Sequence, residues 1–411
     1  ILGWVFAGMA KISESFMDWR WLLGPGLYDA LAGVYIKHQI MSRGHIFLGL
    51  ALHRRLMMSS VTPENVTAET LSAPEVIANP YPYYAALRSQ SPLFGYSDLP
   101  PGTVPGEDAA PASWAVLAHD QIAHVARHPK IFSSRDPLQE ASGAPTLMLV
   151  NHDDPHHRNL RNLVQGAFTA SRVASHREWI SERVKRLLEP CADVEVDVMQ
   201  GLAADLPAMV MTRMLDMPEA DFPNFRRWAT AFMLSTPLTP EERQASNTEM
   251  LAYFSAKVDE HIAAGGQGDN YIDALLQAEF EGGKLSREEI IRFCFTLVVA
   301  GSETTTGLLG NLVWLMATYP DQYQAIRQNP DLIDGFIEET LRYAGPPQRL
   351  FRIATEDTEV GGRAIKQGDW VAIFFASANH DPAAWDDPEE FRPGREGARA
   401  HASFGQGIHS C

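Results

Sequence analysis

The chain ends on a cysteine that follows a short glycine-rich loop. Residues 404–411 read Phe-Gly-Gln-Gly-Ile-His-Ser-Cys, which is the pattern Phe-x-x-Gly-x-x-x-Cys from Phe404 to Cys411. Glycines let a backbone turn tightly against a flat ligand, because they accept a positive φ and lack a Cβ. A Cys thiolate is one of the few axial ligands of heme iron, and it favours cleavage of the O–O bond. The loop therefore indicates either a heme ligand or a buried Cys after a glycine-rich turn.

A polar segment interrupts a long apolar helix that the sequence predicts over residues 286–318. Residues 300–305 read Ala-Gly-Ser-Glu-Thr-Thr. The hydroxyl of Thr304 can bond the carbonyl four residues earlier, which would open the helix locally for O₂ and water. Glu303 beside Thr304 forms an acid–alcohol pair suited to proton delivery. The alternative is a Thr-rich helix segment without function, although such residues are costly in a buried helix.

Glu339 and Arg342 form a third pattern, Glu-x-x-Arg, on the next long helix. Residues three apart share one helix face, so the pair alone could be an ordinary surface ion pair. Together, the three patterns resemble in order and spacing the cytochrome P450 family of heme-thiolate monooxygenases, of the soluble bacterial type. The resemblance covers roughly residues 75–411.

The resemblance implies a heme b cofactor (iron protoporphyrin IX) and a role for each pattern. Cys411 would be the axial ligand of the iron, in the loop that contains Phe404 and Gly405. The small residues Ala300 and Gly301 would let the macrocycle and O₂ approach the helix backbone. Glu303 and Thr304 would be the catalytic proton relay. Glu339 and Arg342 would form a buried structural network, joined by a second arginine, either Arg392 or Arg395.

The resemblance also implies cationic residues that bind the heme propionates. They are expected at His157, Arg161, Arg352 and His409, with His401 as a weaker candidate. Arg suits bidentate carboxylate binding, whereas a solvated surface charge is the alternative for any single one of these residues. The family continues past the cysteine with a helix and a terminal sheet, and it has a Gly two residues after the Cys. We therefore expect the C-terminal part of the fold to be missing here, which weakens the expectation that the chain holds heme.

The implied reaction is the insertion of one oxygen atom from O₂ into a small apolar organic substrate. Two electrons would come from NAD(P)H through a separate ferredoxin-type donor, because the chain carries no flavin or ferredoxin sequence of its own. The donor would dock on a locally basic face. Its residues would be Arg158, Arg161, Arg172, Arg392, Arg395 and Arg399. The substrate pocket is expected around residues 147–149, 232–234, 297, 298, 300 and 345–350, which are mostly apolar.

Three other functions stay open at the level of sequence. A heme-thiolate isomerase or peroxide-using enzyme needs less proton relay than the Glu303–Thr304 pair would provide. A heme-binding sensor or carrier without turnover would lack that pair. The third alternative is an inactive fragment.

Composition limits the partners and the compartment. The 411 residues contain 34 Lys and Arg against 51 Asp and Glu, a formal net charge of −17, with no strongly basic block. This charge argues against nucleic acid as a partner. The three cysteines, Cys191, Cys294 and Cys411, show no disulfide or zinc spacing, which fits a reducing cytoplasm.

Residues 1–57 differ from the rest of the chain and form a segment of unclear origin, so the catalytic domain is placed at 58–411. Their apolar runs fall short of the ~20 residues that a membrane-spanning helix needs, so no stable span is expected. Met57-Met58-Ser59-Ser60 looks like a natural start. The preceding segment could be translated upstream sequence or a fusion remnant, an interfacial amphipathic anchor, or a piece of another protein.

Hydrophobic periodicity predicts a mainly α fold with a small β subdomain. Helices are predicted at 84–88, 119–127, 158–167, 172–188, 199–216, 240–264, 270–280, 286–318 and 331–344. Short strands are predicted at 93–96 and 113–117, and residues 349–375 predict a small antiparallel sheet. Ser286 and Glu289 are placed as a capping box at the start of the longest helix.

Overall fold

A computed structural model describes residues 61–71, 73–95, 112–135, 145–165, 170–189, 197–232, 238–268, 270–280 and 283–411. The segment 1–57 and its boundary with the catalytic domain lie outside these residues. Cys191, Met233 and Leu234 also lie outside them, as does the side chain of Arg172.

Helices form most of the described chain, as predicted. In chain order they are α1 (Pro74–Ala78), α2 (Tyr81–Gln90), α3 (His119–Arg127), α4 (His156–Gln165), α5 (Ala170–Ala174), α6 (Arg177–Leu188), α7 (Asp205–Met214), α8 (Phe222–Phe232), α9 (Pro240–Ala263), α10 (Tyr271–Gln277), α11 (Arg287–Thr318), α12 (Pro320–Gln328), α13 (Ile333–Ala344) and α14 (Phe375–Ala378). A π-helical turn, Met199–Ala203, precedes α7.

The start of the longest helix was predicted correctly, but one predicted helix is divided into two in the structure. Ser286 caps α11 as expected: its Oγ accepts from the backbone N of Glu289 at 3.2 Å, and the Glu289 carboxylate accepts from the Ser286 N at 2.7 Å. The predicted helix 172–188 is wrong in continuity, because it forms the two helices α5 and α6. Helices α1, α8, α12 and α14 were not predicted, although the buried Phe225, Trp228 and Ala229 of α8 follow helical spacing.

The strands are short and draw on distant parts of the sequence. They are β1 (Leu93–Gly95), β2 (Ser113–Val116), β3 (Phe132–Ser133), β4 (Glu279–Phe280), β5 (Gly283–Lys284), β6 (Leu350–Ala354), β7 (Thr358–Val360), β8 (Arg363–Ile365) and β9 (Trp370–Ile373). The main sheet has the order β1-β2-β9-β6-β3, and only its β2–β9 pair is parallel. The antiparallel β6–β9 and β7–β8 pairs confirm the small sheet predicted over 349–375.

Helix α11 is the centre of the molecule. Its first half is buried in an apolar cluster with α7, α8, α9 and α10, and its second half packs against α13. Gly301 permits the close approach of α7, because a Cβ there would lie 2.1 Å from the Sδ of Met211. The main sheet has its own apolar cluster, to which α3 and Ala402, next to the C-terminal loop, contribute. Among the described helices, none is both long and apolar enough to cross a bilayer.

Candidate active site

The C-terminal loop is a tightly wound structure that requires its glycines. Two 3₁₀ turns, Ala402–Phe404 and Gly407–His409, are joined through Gly405 at φ 71°. Gly407 has φ 73°, and a Cβ on it would lie 2.2 Å from the carbonyl oxygen of Ala126 on α3. The backbone N of Cys411 donates to the carbonyl oxygen of Phe404 at 2.7 Å. The loop thus closes on itself and presents a half-buried Cys411 next to α3.

A buried ion pair holds the segment that leads into this loop. Arg342 donates through Nε and Nη2 to the two carboxylate oxygens of Glu339 at 2.8 Å each, and neither side chain is exposed. The same guanidinium donates to the carbonyl oxygens of residues 379, 388 and 390. Glu339 also accepts from Nε of Arg395 at 3.1 Å. One bidentate pair therefore ties α13 to the irregular segment before the Cys loop.

Of the two predicted partners of this pair, Arg395 is the one that supplies its side chain. Arg392 contributes only its backbone N to Glu339, at 2.9 Å. Its guanidinium instead bonds Asp387 and Glu390 at the surface. The prediction of Arg392 as a side-chain partner is therefore wrong, because nearer carboxylates outside the core satisfy it.

Two histidines and two arginines from three separate elements lie beside the Cys loop. The rings of His157, on α4, and His409 lie 4.3 Å apart. Burial, together with the nearby Arg352, His157 and Arg161, lowers the pKa of His409 to about 2. Arg352 is 7% exposed, and burial lowers its pKa to about 10. The His409 imidazole is therefore neutral near pH 7, whereas the buried guanidinium of Arg352 favours an anionic partner.

One polar atom shows where such a counter-charge would lie. The Nε2 of His409 is buried and has no hydrogen-bond partner among the described residues. Native proteins rarely leave such an atom unsatisfied unless a ligand or water completes it. The donor set of His157, Arg352 and His409 therefore fits an anionic, carboxylate-bearing group such as the propionates of heme.

Arg161 contributes to the Cys loop itself. Its guanidinium donates to the carbonyl oxygens of Ile408, at 2.6 Å, and Ser410, at 3.0 Å, on either side of His409. Burial lowers its pKa, and the nearby Cys411 counteracts this by favouring the charged form. The weaker candidate His401 has none of its contacts with this set. It accepts from the backbone N of Ser403 at 3.2 Å and lies 3.4 Å from a Glu338 carboxylate oxygen.

The polar segment of α11 makes the hydroxyl bond that the sequence predicted. Thr304 donates to the carbonyl oxygen of Ala300 at 3.0 Å, and Thr305 donates to that of Gly301 at 2.9 Å. The helix nevertheless continues unbroken to Thr318. Two consecutive carbonyls are thus shared with side chains, which weakens the backbone ladder here.

Glu303 points to a partner that the sequence did not reveal. Its Oε1 accepts from the hydroxyl of Thr230 on α8 at 2.9 Å. No local pattern marks Thr230, because its helix was not predicted and 73 positions separate the two residues. Gly301 lies beneath Met211 of α7, so the space above it is used by a neighbouring helix. Its role toward a cofactor stays a prediction.

The expected pocket residues divide into two groups. Met148, Leu149, Leu297 and Val298 are buried in one apolar cluster, against which Phe232 packs. The backbone N of Met148 donates to the Thr296 hydroxyl at 2.8 Å, which attaches this loop to α11. Leu350, in contrast, is 43% exposed at the start of β6. Its surroundings therefore differ from the enclosed apolar pocket that the sequence suggested.

Known proteins match the chain over most of its length. The cytochrome P450 family model matches residues 242–411. The cytochrome P450 monooxygenase PikC of Streptomyces venezuelae is 34% identical over 343 residues, which are 81% of this chain and 79% of PikC. The biotin biosynthesis cytochrome P450 of Bacillus subtilis is 30% identical over 357 residues, 84% of this chain and 87% of that protein.

A solved structure matches the fold at the same level of similarity. CYP109E1 from Bacillus megaterium, in complex with testosterone, has a TM-score of 0.70 and 31% identity, and the match covers 81% of this chain and 85% of that one. The fold and these relatives together define an oxidoreductase that incorporates molecular oxygen. The chain belongs to the cytochrome P450 family, as a bacterial monooxygenase whose family implies a heme cofactor.

Proposed function

We propose that the chain binds heme b through Cys411 and inserts one atom of O₂ into an apolar organic substrate. The observation that carries this proposal is the set of buried arginine and histidine side chains beside the Cys loop, in which the His409 Nε2 has no hydrogen-bond partner among the described residues. Electrons come from NAD(P)H through a separate ferredoxin-type protein. The reducing cytoplasm is the proposed compartment, since the described cysteines, Cys294 and Cys411, are both free.

The residues of the site divide the work of holding the cofactor. His157, Arg352 and His409 bind the propionates, while Arg161 fixes the carbonyls on both sides of His409 and so orients the loop. Cys411 provides the thiolate ligand. A heme bound in this way supplies the activation of O₂, which a thiolate ligand favours.

The proton chemistry belongs to α11. Thr304 holds its hydroxyl on the Ala300 carbonyl, and that hydroxyl would supply protons for the oxygen chemistry of a bound heme. Glu303, one residue earlier, is the general acid that exchanges protons with the Thr304 hydroxyl. A sensor or carrier has no use for this pair, which supports turnover over mere heme binding.

The substrate is proposed to be a small, apolar organic molecule. The buried cluster that contains Met148, Leu149 and Leu297 offers no charged group to a ligand. The related CYP109E1 was crystallised with testosterone, an apolar polycyclic compound. A panel of steroids and long-chain fatty acids, scored by the spectral change of the heme on binding, tests this class of substrate.

The docking face of the electron donor is less basic than the sequence suggested. Arg395 is buried on Glu339, and Arg161 is directed into the Cys loop. The exposed Arg158 is paired with Asp154 at 2.6 Å, and Arg392 with Asp387 at 2.6 Å. Because these charges are largely neutralised, we expect only a weak dependence of ferredoxin reduction on ionic strength. If ferredoxin reduced an Arg158→Glu variant several times more slowly than the parent at low salt, the result would support the basic-patch interpretation.

The reduced carbon monoxide difference spectrum tests the central proposal. A red-shifted Soret band is expected for the native chain, and the Cys411→His variant should lose it while keeping its helical circular dichroism. An unchanged band in that variant would contradict the assignment of Cys411. Product formation from O₂ and an NAD(P)H-driven ferredoxin then separates a monooxygenase from a carrier.

A further inference from the structure

The turn of residues 147–151 is a strained segment next to α11. Asn151 closes it from both directions: its backbone N donates to the Leu147 carbonyl oxygen at 3.1 Å, and its Oδ1 accepts from the Leu147 N at 3.0 Å. Inside the turn, Leu149 has φ 69° and is 5% exposed. A bulky residue is seldom found at a positive φ, and such strain persists only where the surrounding structure enforces it. The turn therefore depends on contacts outside itself to keep this shape.

Thr296 provides a contact that holds the turn on α11. Its hydroxyl accepts from the backbone N of Met148 at 2.8 Å and donates to the Arg292 carbonyl oxygen at 2.8 Å. Thr296 is fully buried, and Met148 is 1% exposed within an apolar cluster. Loss of the hydroxyl would leave a buried N–H without a partner, which is unfavourable. The turn would then move away from α11 to satisfy that N–H elsewhere.

The position of Thr296 connects this contact to the proposed site. Thr296 and Ala300 are four residues apart and therefore lie on one face of α11. Thr304 bonds the Ala300 carbonyl oxygen, so Thr296 lies about one helical turn, or about 5.4 Å along the axis, before the segment proposed for oxygen chemistry. Met148 and Leu149 belong to the apolar cluster around the first half of α11. The position of the turn therefore limits the apolar space next to this segment.

We propose that Thr296 is a positioning residue that sets the size selectivity for substrate, because its hydroxyl tethers the strained 147–151 turn to α11. The inference rests on the proposed function, since it takes the apolar cluster beside Ala300 as the place where the substrate binds. The hydroxyl acts through the backbone of Met148 and not on the reacting atoms. With the tether intact, the turn restricts the size of the substrate. Without it, the turn moves outward and bulkier apolar molecules bind better.

Hydrogen exchange of the heme-loaded chain, followed by mass spectrometry, tests the tether without turnover. Thr296→Val removes the hydroxyl and keeps the shape of the side chain, whereas Thr296→Ser keeps the hydroxyl. The amides of residues 147–151 should exchange several times faster than in the parent in Thr296→Val, and at the parental rate in Thr296→Ser.

The matched control for the loss of a buried hydroxyl is Thr212→Val on α7. Thr212 is 2% exposed, and its hydroxyl donates to a carbonyl oxygen of its own helix, that of Ala208, at 2.8 Å. This variant should leave exchange in residues 147–151 unchanged. Asn151→Ala opens the turn from its other end without altering α11, and it replaces Thr296→Val if that variant fails to fold.

Selectivity is measured with two apolar compounds of different size, the monocyclic limonene and the tetracyclic testosterone. The change in the heme absorption spectrum on binding gives a dissociation constant for each. In Thr296→Val, the ratio of the two constants should shift severalfold in favour of testosterone, whereas Thr296→Ser and Thr212→Val should keep the parental ratio. A merely structural role would weaken the binding of both compounds alike and leave the ratio unchanged.

The outcomes separate the inference from the proposed function. Unchanged exchange of residues 147–151 in Thr296→Val overturns the tether. Faster exchange with an unchanged ratio of dissociation constants, or an equal shift of that ratio in Thr212→Val, overturns the selectivity role. A parent chain whose heme spectrum responds to neither compound contradicts the proposed function and the selectivity role together, whereas the exchange rates still decide the tether.

Discussion

At the scale of single residues, the site depends on contacts between positions that lie far apart in the chain. His157 and His409 come from α4 and from the last turn of the chain, yet their rings lie 4.3 Å apart. The Glu303 carboxylate receives its hydrogen bond from Thr230 of another helix. The side chain alone determines which chemistry a residue can perform. Its role in the site depends on the residues that the fold brings into contact with it.

Arg352→Gln should weaken heme retention. The substitution removes a buried charge that a propionate would otherwise pair with, and a hydrogen bond to a charged group is worth about 1.5–3 kcal/mol, or roughly ten- to hundredfold in affinity. The rate of heme transfer to a scavenging apoprotein measures the effect. Arg399→Gln is the matched control, because Arg399 is 53% exposed and should release heme at the parental rate. Equal rates for the two variants would remove Arg352 from the propionate set.

Thr304→Ala should uncouple electron consumption from product formation. Without the hydroxyl on the Ala300 carbonyl, proton delivery falls, and general acid catalysis of this kind contributes about 10²–10⁴-fold. Peroxide released per NAD(P)H consumed is the measurement. Thr305→Ala loses the equivalent bond to Gly301 and serves as the control, expected to stay coupled. If both variants uncouple alike, weakening of the helix, rather than the relay, is responsible.

Sequence reasoning found most of these residues but not their partners. Thr304 was predicted to bond its own helix, four residues back, and does so, because that contact is fixed by helical geometry alone. Thr230 could not be predicted, since nothing local distinguishes it from any other helical Thr. Arg395 and Arg392 were equally good candidates in sequence, and only the fold showed which guanidinium reaches Glu339.

At the scale of elements, two connections fix the Cys loop: α13 through its ion pair, and α3 through its last turn. The Glu339–Arg342 pair is fully buried, and Arg342 also bonds the carbonyl oxygens of residues 379 and 390. The pair therefore connects a helix to an irregular segment. Gly407 rests directly on the carbonyl of Ala126. Loss of either connection should disturb the loop before it disturbs the helical bundle.

Arg342→Met should destabilise the protein strongly. Removing one partner leaves an uncompensated buried carboxylate on Glu339, and breaking such a pair costs about 3–5 kcal/mol. Denaturant unfolding measures the loss. Arg392→Met removes an arginine of the same segment whose ion pairs are exposed, and it should cost no more than about 1 kcal/mol.

Gly407→Ala should cost more than a matched glycine elsewhere. Both Gly407 and Gly394 have positive φ, 73° and 88°, but a Cβ on Gly394 meets nothing within 4 Å. A strained φ costs about 1–3 kcal/mol at either position, and Gly407 adds a clash with backbone. The difference in unfolding free energy between the two Ala variants isolates that clash, and a difference of zero would mean that the loop moves away freely.

At the scale of the whole molecule, the pH dependence of stability comes from individual carboxylates and buried histidines. His380 holds the pKa of Glu389 below its usual value of 4.5 by a side-chain hydrogen bond. Burial lowers the pKa of His152 and His176 from its usual value of 6.5, which favours their neutral forms in the folded protein. The folded and unfolded states therefore bind different numbers of protons over two pH ranges.

Stability should fall in two steps on acidification. As pH drops through 6.5, His176 takes up a proton in the unfolded state, whereas its lowered pKa delays protonation in the folded state. The free energy of unfolding therefore decreases. As pH drops below 4.5, the Glu389 carboxylate is protonated in the unfolded state before it is protonated in the folded state. The free energy of unfolding therefore decreases a second time. Thermal unfolding against pH measures both steps. His176→Gln should flatten the upper one and Glu389→Gln the lower one, and an unaltered profile in either variant would exclude that residue as a source.

The parallel pairing of β2 with β9 has a consequence for the order of events during protein synthesis. Residues 113–116 leave the ribosome long before residues 370–373, with which they pair, and synthesis runs at about 5–20 residues per second. The early strands β1 and β2 can pair with each other, but one edge of that hairpin must wait for tens of seconds, as an open edge attractive to other chains. The main sheet can therefore be completed only after residues 370–373 have been synthesised.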